Sequence, residues 1–149
     1  MPTAVTSSTE IVRAFWTAQA AGDAEAARTL MADDVVWAVV GRHAAVARTY
    51  RGVEAFFGEL IATLSRTFEP GSAVMDIRDM YEDAAQSTVV THLYETARTR
   101  TGLNFENDIV TIMTVKDGRI THCREFMDLH EVRRTFGDEP ATRPVNAQE

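Results

Sequence analysis

At 149 residues with 45% hydrophobic side chains, the chain is long enough to bury one sizeable core, and a single domain is expected. Its formal net charge of -7, from 15 Lys and Arg against 22 Asp and Glu scattered along the sequence, argues against a nucleic-acid partner. The start, Met1 to Ser8, lacks a basic n-region with an apolar h-region, and the longest apolar run, Val35 to Val40, is far too short to span a bilayer. A soluble, cytoplasmic protein with no membrane contact is the expectation. Cys123 is the one cysteine, which excludes an intrachain disulfide and a cysteine-based zinc site.

Ser7 followed three residues later by Glu10 is a capping-box pattern. Ile11, Val12, Phe15 and Trp16 then share one helix face, which predicts a helix over about 8–21, ended by Gly22. Asp23 can cap a short second helix whose stripe is Ala26, Ala27, Leu30 and Met31. The β-branched run Val35 to Val40, bounded by Gly41, predicts a strand, and Arg42 to Gly52 reads as a loop. Val53, Phe56, Phe57, Leu60, Ile61, Leu64 and Phe68 recur at helical spacing until Glu69-Pro70-Gly71 stops them. The period then changes to that of strands: Val74 to Glu82, Ser87 to Thr99, Leu103 to Val115 and Ile120 to Leu129. Asp117-Gly118 is a hairpin signal, because a type I′ turn needs φ > 0 at both central residues. Four such strands form an antiparallel meander, and three helices preceding it must cover one face, so the class is α+β. A last helix over about 130–136 precedes a polar tail, giving a domain over 1–137 and a tail over 138–149.

This order of elements, together with Asp33-Asp34-Val35-Val36-Trp37, Tyr50-Arg51-Gly52-Val53-Glu54, the run from Asn107-Asp108 to Asp117-Gly118-Arg119-Ile120 and Arg124-Glu125-Phe126-Met127-Asp128, resembles the SnoaL-like branch of the nuclear-transport-factor-2-like superfamily. The resemblance covers about 11–136 and extends to ketosteroid isomerases, limonene epoxide hydrolases and phenazine-biosynthesis A/B proteins. It implies a cone-shaped barrel in which three N-terminal helices pack on a strongly curved antiparallel sheet around a pocket for a small hydrophobic organic molecule. It also implies a homodimer formed through the outer sheet face. The fold hosts several chemistries and non-catalytic members, so fold alone does not assign an activity.

Glu125 is the sharpest candidate, since it alternates with Cys123 and Met127, where an unpaired carboxylate is expensive to bury. The resemblance places an acid at this point of the last strand, facing the pocket, as general acid or base. The alternative is an outward Glu125 paired with an arginine or with solvent. Strand register decides its neighbours. With Asp117-Gly118 as a two-residue turn, Val110 opposes Glu125 and Asp108 opposes Met127; a three-residue loop at Thr101-Gly102 then brings His92 and Tyr94 to the same face, a two-residue loop Leu93 and Glu95.

The epoxide-hydrolase resemblance favours the first register. There His92 and Tyr94 stand where that family has an arginine and an aspartate, so its carboxylate-arginine-carboxylate arrangement is not reproduced. The expected cluster is Glu125 as acid/base, Tyr94 as hydrogen-bond donor and His92 as proton relay. Trp37 is the expected wall residue, with Phe57, His43 and Asp108 as further substrate-binding candidates and Phe56 and Leu60 as core or lining. Asp128 resembles the family's terminal acid, with a structural salt bridge or helix capping as the alternative. Glu59 replaces the phenazine proteins' helix histidine. The histidines show no metal spacing, and neither metal nor cofactor is expected. The resulting expectation is a cofactor-free cyclase or isomerase of a polyketide- or terpenoid-like substrate, working by proton transfer or intramolecular epoxide opening. The alternatives are a limonene-type epoxide hydrolase and a non-catalytic binding or dimerisation module.

Overall fold

The Ser7-Glu10 pair does what its spacing requires in the computed structural model, which describes residues 6–137. The Ser7 hydroxyl accepts from the Glu10 amide at 3.1 Å and the Glu10 carboxylate accepts from the Ser7 amide at 2.9 Å, starting helix α1, Ser8–Ala20. Asp23 accepts from the Ala26 amide at 3.0 Å and caps α2, Ala24–Thr29. Met31 opens strand β1, Met31–His43, rather than closing the helix; β1 is longer at both ends than its apolar centre predicts. The expected loop from Arg42 to Gly52 instead holds strand β2, Ala47–Arg51, which folds back antiparallel so that Trp37 pairs with Tyr50.

The long apolar stripe forms one helix of mixed winding: α3 over Val53–Ala55, a π segment over Phe56–Ile61 and α4 over Ala62–Thr67. The meander follows as β3 (Val74–Asp83), β4 (Thr88–Arg98), β5 (Asn104–Lys116) and β6 (Arg119–Met127). Helix α5, Leu129–Phe136, closes the described part, and Asp128 caps it by accepting from the His130 amide at 2.9 Å. The tail expected over 138–149 lies outside the described residues.

The sheet has six strands in the order β2-β1-β6-β5-β4-β3. All neighbours are antiparallel except β1 and β6, which run parallel. The fold is therefore α+β as expected, but the curved sheet is open, with β2 and β3 at its edges, rather than a closed barrel. Helix α1 lies across β3, β4, β5 and β6. Phe15, Trp16, Trp37 and Phe56 meet beneath it, with ring centroids 4.6 Å apart for Trp37 and Phe56 and 5.1 Å for Phe15 and Trp16. Such pairs contribute roughly 0.5–1.5 kcal/mol each beyond their burial.

Gly41 bends β1 at φ +116, and a Cβ there would collide with the Leu129 Cδ1 methyl of α5. Gly41→Ala is therefore expected to destabilise the fold by on the order of 1–3 kcal/mol. A thermal melt identical to that of the parent chain would show that this bend carries no strain.

One residue decides which side chains face inward. Lys116 pairs with Arg119 around Asp117 (φ 52) and Gly118 (φ 74), the expected type I′ turn. Val115 pairs with Ile120, but Thr114 pairs with His122, so Thr121 is an extra residue in β6, and its hydroxyl donates to the Thr114 carbonyl at 3.3 Å. Beyond that bulge every alternation is reversed. Glu125 opposes Thr111 rather than Val110, and Met127 opposes Ile109 rather than Asp108. The β4-β5 loop has three residues, Arg100 to Gly102, with Leu93 opposite Ile109 and Glu95 opposite Asn107. The inner face thus carries Glu125, Thr111, Ile109, Leu93 and Glu95, and the outer face His92, Tyr94 and Asp108.

Candidate active site

Glu125 stands on β6 with 7% of its surface exposed. The Trp37 indole N–H donates to its Oε1 at 3.4 Å, a long bond. Burial raises the Glu125 carboxyl from 4.5 to about 7, and the bond from Trp37 opposes that shift in part. Glu95, reaching inward from β4, is raised to about 8, first by burial and then by the charge of Glu125. At neutral pH one carboxyl of this wall is thus largely protonated and the other near half-ionised, a setting suited to giving and taking protons. Cys123, beside Glu125, is held well above the ordinary thiol value, first by burial and then by Glu125, so its thiol remains protonated.

The two carboxyls face a hollow of about 60 Å³. Trp16, Trp37, Phe56, Leu60, Ile109 and Val132 form much of its wall, and Glu95 and Glu125 are the charged side chains among the described residues that line it. At its end, Phe68 packs on Phe105 and Phe136 with centroids 5.2 Å and 5.8 Å apart. The hollow adjoins a wider cleft of about 420 Å³ between the C-terminal end of α1, α4 and the start of β3. Gln19, Ile61, Leu64, Phe68, Met75 and Glu95 border both spaces, which puts Glu95 at the junction. The cleft lies within the size range of small-molecule sites, and the hollow alone takes only a few atoms.

The sequence candidates separate accordingly. Trp37 and Glu125 touch in the wall. His92 lies outside, 2.8 Å from Asp108 and 3.5 Å from Asp79, and the bond it donates to the Asp108 carboxylate leads the causes that raise its pKa. Tyr94 lies outside as well, with the Arg78 guanidinium 5.0 Å from its ring centre. Phe57 sits under Arg28, whose guanidinium is 4.8 Å from its ring, and packs edge-on against Phe56. His43 is buried elsewhere: its Nε2 donates to the Gly137 carbonyl at 2.6 Å while Nδ1 accepts from the Ala45 amide at 3.3 Å, which fixes one neutral tautomer. Glu95, named beforehand only through the alternative register, and Trp16, read only as part of a helix face, belong to the wall. The signal for the first lies in Ile120 and Cys123, both fully buried but three apart, a spacing that an unbulged strand cannot place on one face.

Six curved strands, packed by helices, and two acids in the wall of a mostly apolar hollow define an open α+β cone. The sequence matches the SnoaL-like domain over residues 12–123, and the chain belongs to that family. An NTF2-like protein from Burkholderia pseudomallei K96243 superposes with a TM-score of 0.77 at 15% identity, over 88% of this chain and 98% of that one. An LEH-like epoxide hydrolase from M. tuberculosis gives 0.68 at 21% identity, over 86% and 87%. TerC, crystallised with polyporic acid, gives 0.75 at 20% identity, over 86% and 96%. The search of curated proteins gives no match.

Proposed function

We propose that this chain is a cofactor-free enzyme that moves protons on a small, apolar, polyketide- or terpenoid-like substrate, as a cyclase or isomerase. Glu125 is the base and Glu95, with the higher pKa, the acid that returns a proton at the pocket's junction. This replaces the pairing of Glu125 with His92 and Tyr94, which the Thr121 bulge turns to the outer face. The observation that carries the reading is Glu125 itself: a buried carboxyl with one long hydrogen bond, in the wall of a mostly apolar hollow, is costly to keep. The adjoining cleft gives a substrate room, which a filled cone acting only as a binding or dimerisation module does not need. The test is exchange of α-protons of polyketide-like ketones in D₂O, read by mass spectrometry, with the parent chain against Glu125→Gln.

A second reading, opening of an epoxide by water, draws support from the second inward carboxyl, Glu95; Leu93, two residues before it, supplies no cation. Incorporation of solvent-derived ¹⁸O into a diol product favours this reading, and an oxygen-neutral rearrangement favours the first.

The outer sheet face is proposed to pair with a second copy of the chain. Tyr81, Phe126 and Val40 lie among its polar residues and are 64%, 39% and 38% exposed, and exposed apolar side chains on an open sheet face invite association. Sedimentation at micromolar concentration is expected to give a dimer, and a stable monomer ends this part of the proposal.

A further inference from the structure

Among the described residues the buried polar and charged side chains fall into two groups. His43, Thr99 and Asn107 have close partners: His43 the Gly137 carbonyl and the Ala45 amide, Thr99 the Leu103 amide at 2.9 Å, and Asn107 the Asp128 amide at 2.9 Å and carbonyl at 3.2 Å. The others, Thr91, Thr111 and Glu125, stand side by side in one row across the inner face: Thr91 on β4 pairs with Thr111 on β5, and Thr111 pairs with Glu125 on β6. Both threonines are 0% exposed, and both hydroxyls are buried with no hydrogen-bond partner. The remaining orphaned atoms among the described residues, on Trp16 and Thr135, lie off this row. A buried hydroxyl without a partner loses water and regains no bond, so native proteins keep few of them.

The carboxyl at the end of the row has unused capacity of its own. Glu125 accepts the long bond from Trp37 on Oε1 and no other among the described residues, whereas an ionised carboxylate has about four acceptor positions. Directly opposed residues of an antiparallel pair have Cβ atoms roughly 4.5–5.5 Å apart, close enough for a hydroxyl on one to meet a carboxyl on the other. Threonine reaches a second staggered χ1 well by a side-chain rotation alone, which carries its hydroxyl across the strand while the backbone stays in place. A hydroxyl donates once and accepts twice, so Thr91 can donate to Thr111 while Thr111 donates to Glu125. With Glu125 protonated, the same row can run in the opposite direction, the carboxyl donating to Thr111.

We infer that Thr111, backed by Thr91, is a positioning residue for Glu125, its hydroxyl turning to donate to the carboxylate when Glu125 has lost its proton. The inference rests on the proton-transfer reading above and extends it by naming what holds the base in its charged form. A base in a dry wall must be charged before it can take a proton, and a donor beside it stabilises that form at the moment it is needed. The other titratable groups coupled to the charge of Glu125 are Glu95 on β4, Cys123 on β6 and Tyr50 on β2. Helices α1, α4 and α5 and the π segment bring uncharged side chains to the hollow. Substitution at Thr111 leaves all of these groups present, so a change in the titration of Glu125 reports on the hydroxyl.

The experiment follows the side-chain carboxyl ¹³C signals of the full chain with pH, the Glu125 signal being identified by its loss in Glu125→Gln. In Thr111→Val, which keeps the branched shape without the hydroxyl, the Glu125 midpoint is expected to rise by about one pH unit, the size of one hydrogen bond to a charged group. Thr91→Val is expected to raise it by less. Thr111→Ser, which keeps the hydroxyl and loses a methyl group, is expected to titrate as the parent does. The pH at which α-proton exchange is half-maximal should move with the midpoint. A role in packing alone predicts the reverse, with Thr111→Ser the disturbed variant and Thr111→Val the quiet one. An unmoved midpoint in Thr111→Val, or a shift in Thr111→Ser as large as that in Thr111→Val, overturns the inference. If Thr111→Val does not fold, Thr91→Val decides alone, and an unmoved midpoint there overturns it. The midpoint is read whether or not the chain turns over a ketone. Exchange that persists in Glu125→Gln therefore ends the assignment of the base and leaves the midpoint shift standing, so the two readings fail separately.

Discussion

Replacing Glu125 by glutamine is expected to lower α-proton exchange, and any turnover that depends on it, by about 10²- to 10⁴-fold. The substitution keeps the size of the side chain and leaves an oxygen that can accept the Trp37 indole bond, but it removes the site that binds and releases a proton. Folding and ligand affinity should therefore change little. Circular dichroism and a binding titration with the same ketone separate loss of chemistry from loss of structure. If exchange proceeds at the parent rate with the ketone bound, Glu125 is not the base. Glu95→Gln has a different expected signature: Glu95 borders both the hollow and the cleft, so its loss removes proton return while base-driven exchange persists in part. Equal effects of the two substitutions on exchange would assign them one joint role.

How much of this is legible in the sequence depends on how local each signal is. The capping box at Ser7 and Glu10 and the Asp117-Gly118 turn rest on contacts within four residues, and both form as their spacing dictates. An inward Glu125 is legible from its alternation with Cys123 and Met127. The identity of its neighbours is not, because that needs the register of three strands, and one bulge at Thr121 reverses the alternation across all of them. The odd spacing of Ile120 and Cys123 is the trace it leaves, outweighed by the alignment of His92 and Tyr94 with another family's pocket residues. Strand β2 is hidden for another reason. Ala47 to Arg51 alternates little apolar surface of its own, and its pairing with β1 decides its conformation. The π winding over Phe56–Ile61 is invisible because Phe56, Phe57, Leu60 and Ile61 satisfy an α-helical stripe equally well.

The raised pKa values of these two carboxyls should make the fold less stable as the solution becomes more alkaline. Unfolded, Glu95 and Glu125 titrate near 4.5; folded, near 8 and near 7. Between the two sets of values the native chain keeps protons that the unfolded chain has lost, so stability is greatest below about pH 4.5 and falls as pH rises toward about 8. Beyond that the two carboxyls add no further slope. For Glu125 alone the upward shift corresponds to about 3 kcal/mol, an upper bound of the size expected for ionising a carboxyl in a dry wall. His92, on the outer face, also titrates with its pKa raised by Asp108 and Asp79, and it too favours the folded state at lower pH. The parent profile therefore mixes these groups, and the informative quantity is the difference between parent and Glu125→Gln, in which His92 cancels. Urea unfolding near pH 5 is expected to give nearly equal stabilities for the two chains. Near pH 9 the glutamine variant should be more stable by up to about 3 kcal/mol, because it has no charge to bury. The gain in stability and the loss of exchange would then come from one atom-level cause, a carboxyl held in an apolar wall where it is useful for moving protons and unfavourable for folding. Parallel stability profiles across this range would mean that water reaches Glu125 freely in solution, and the case for Glu125 as base would lose its physical footing.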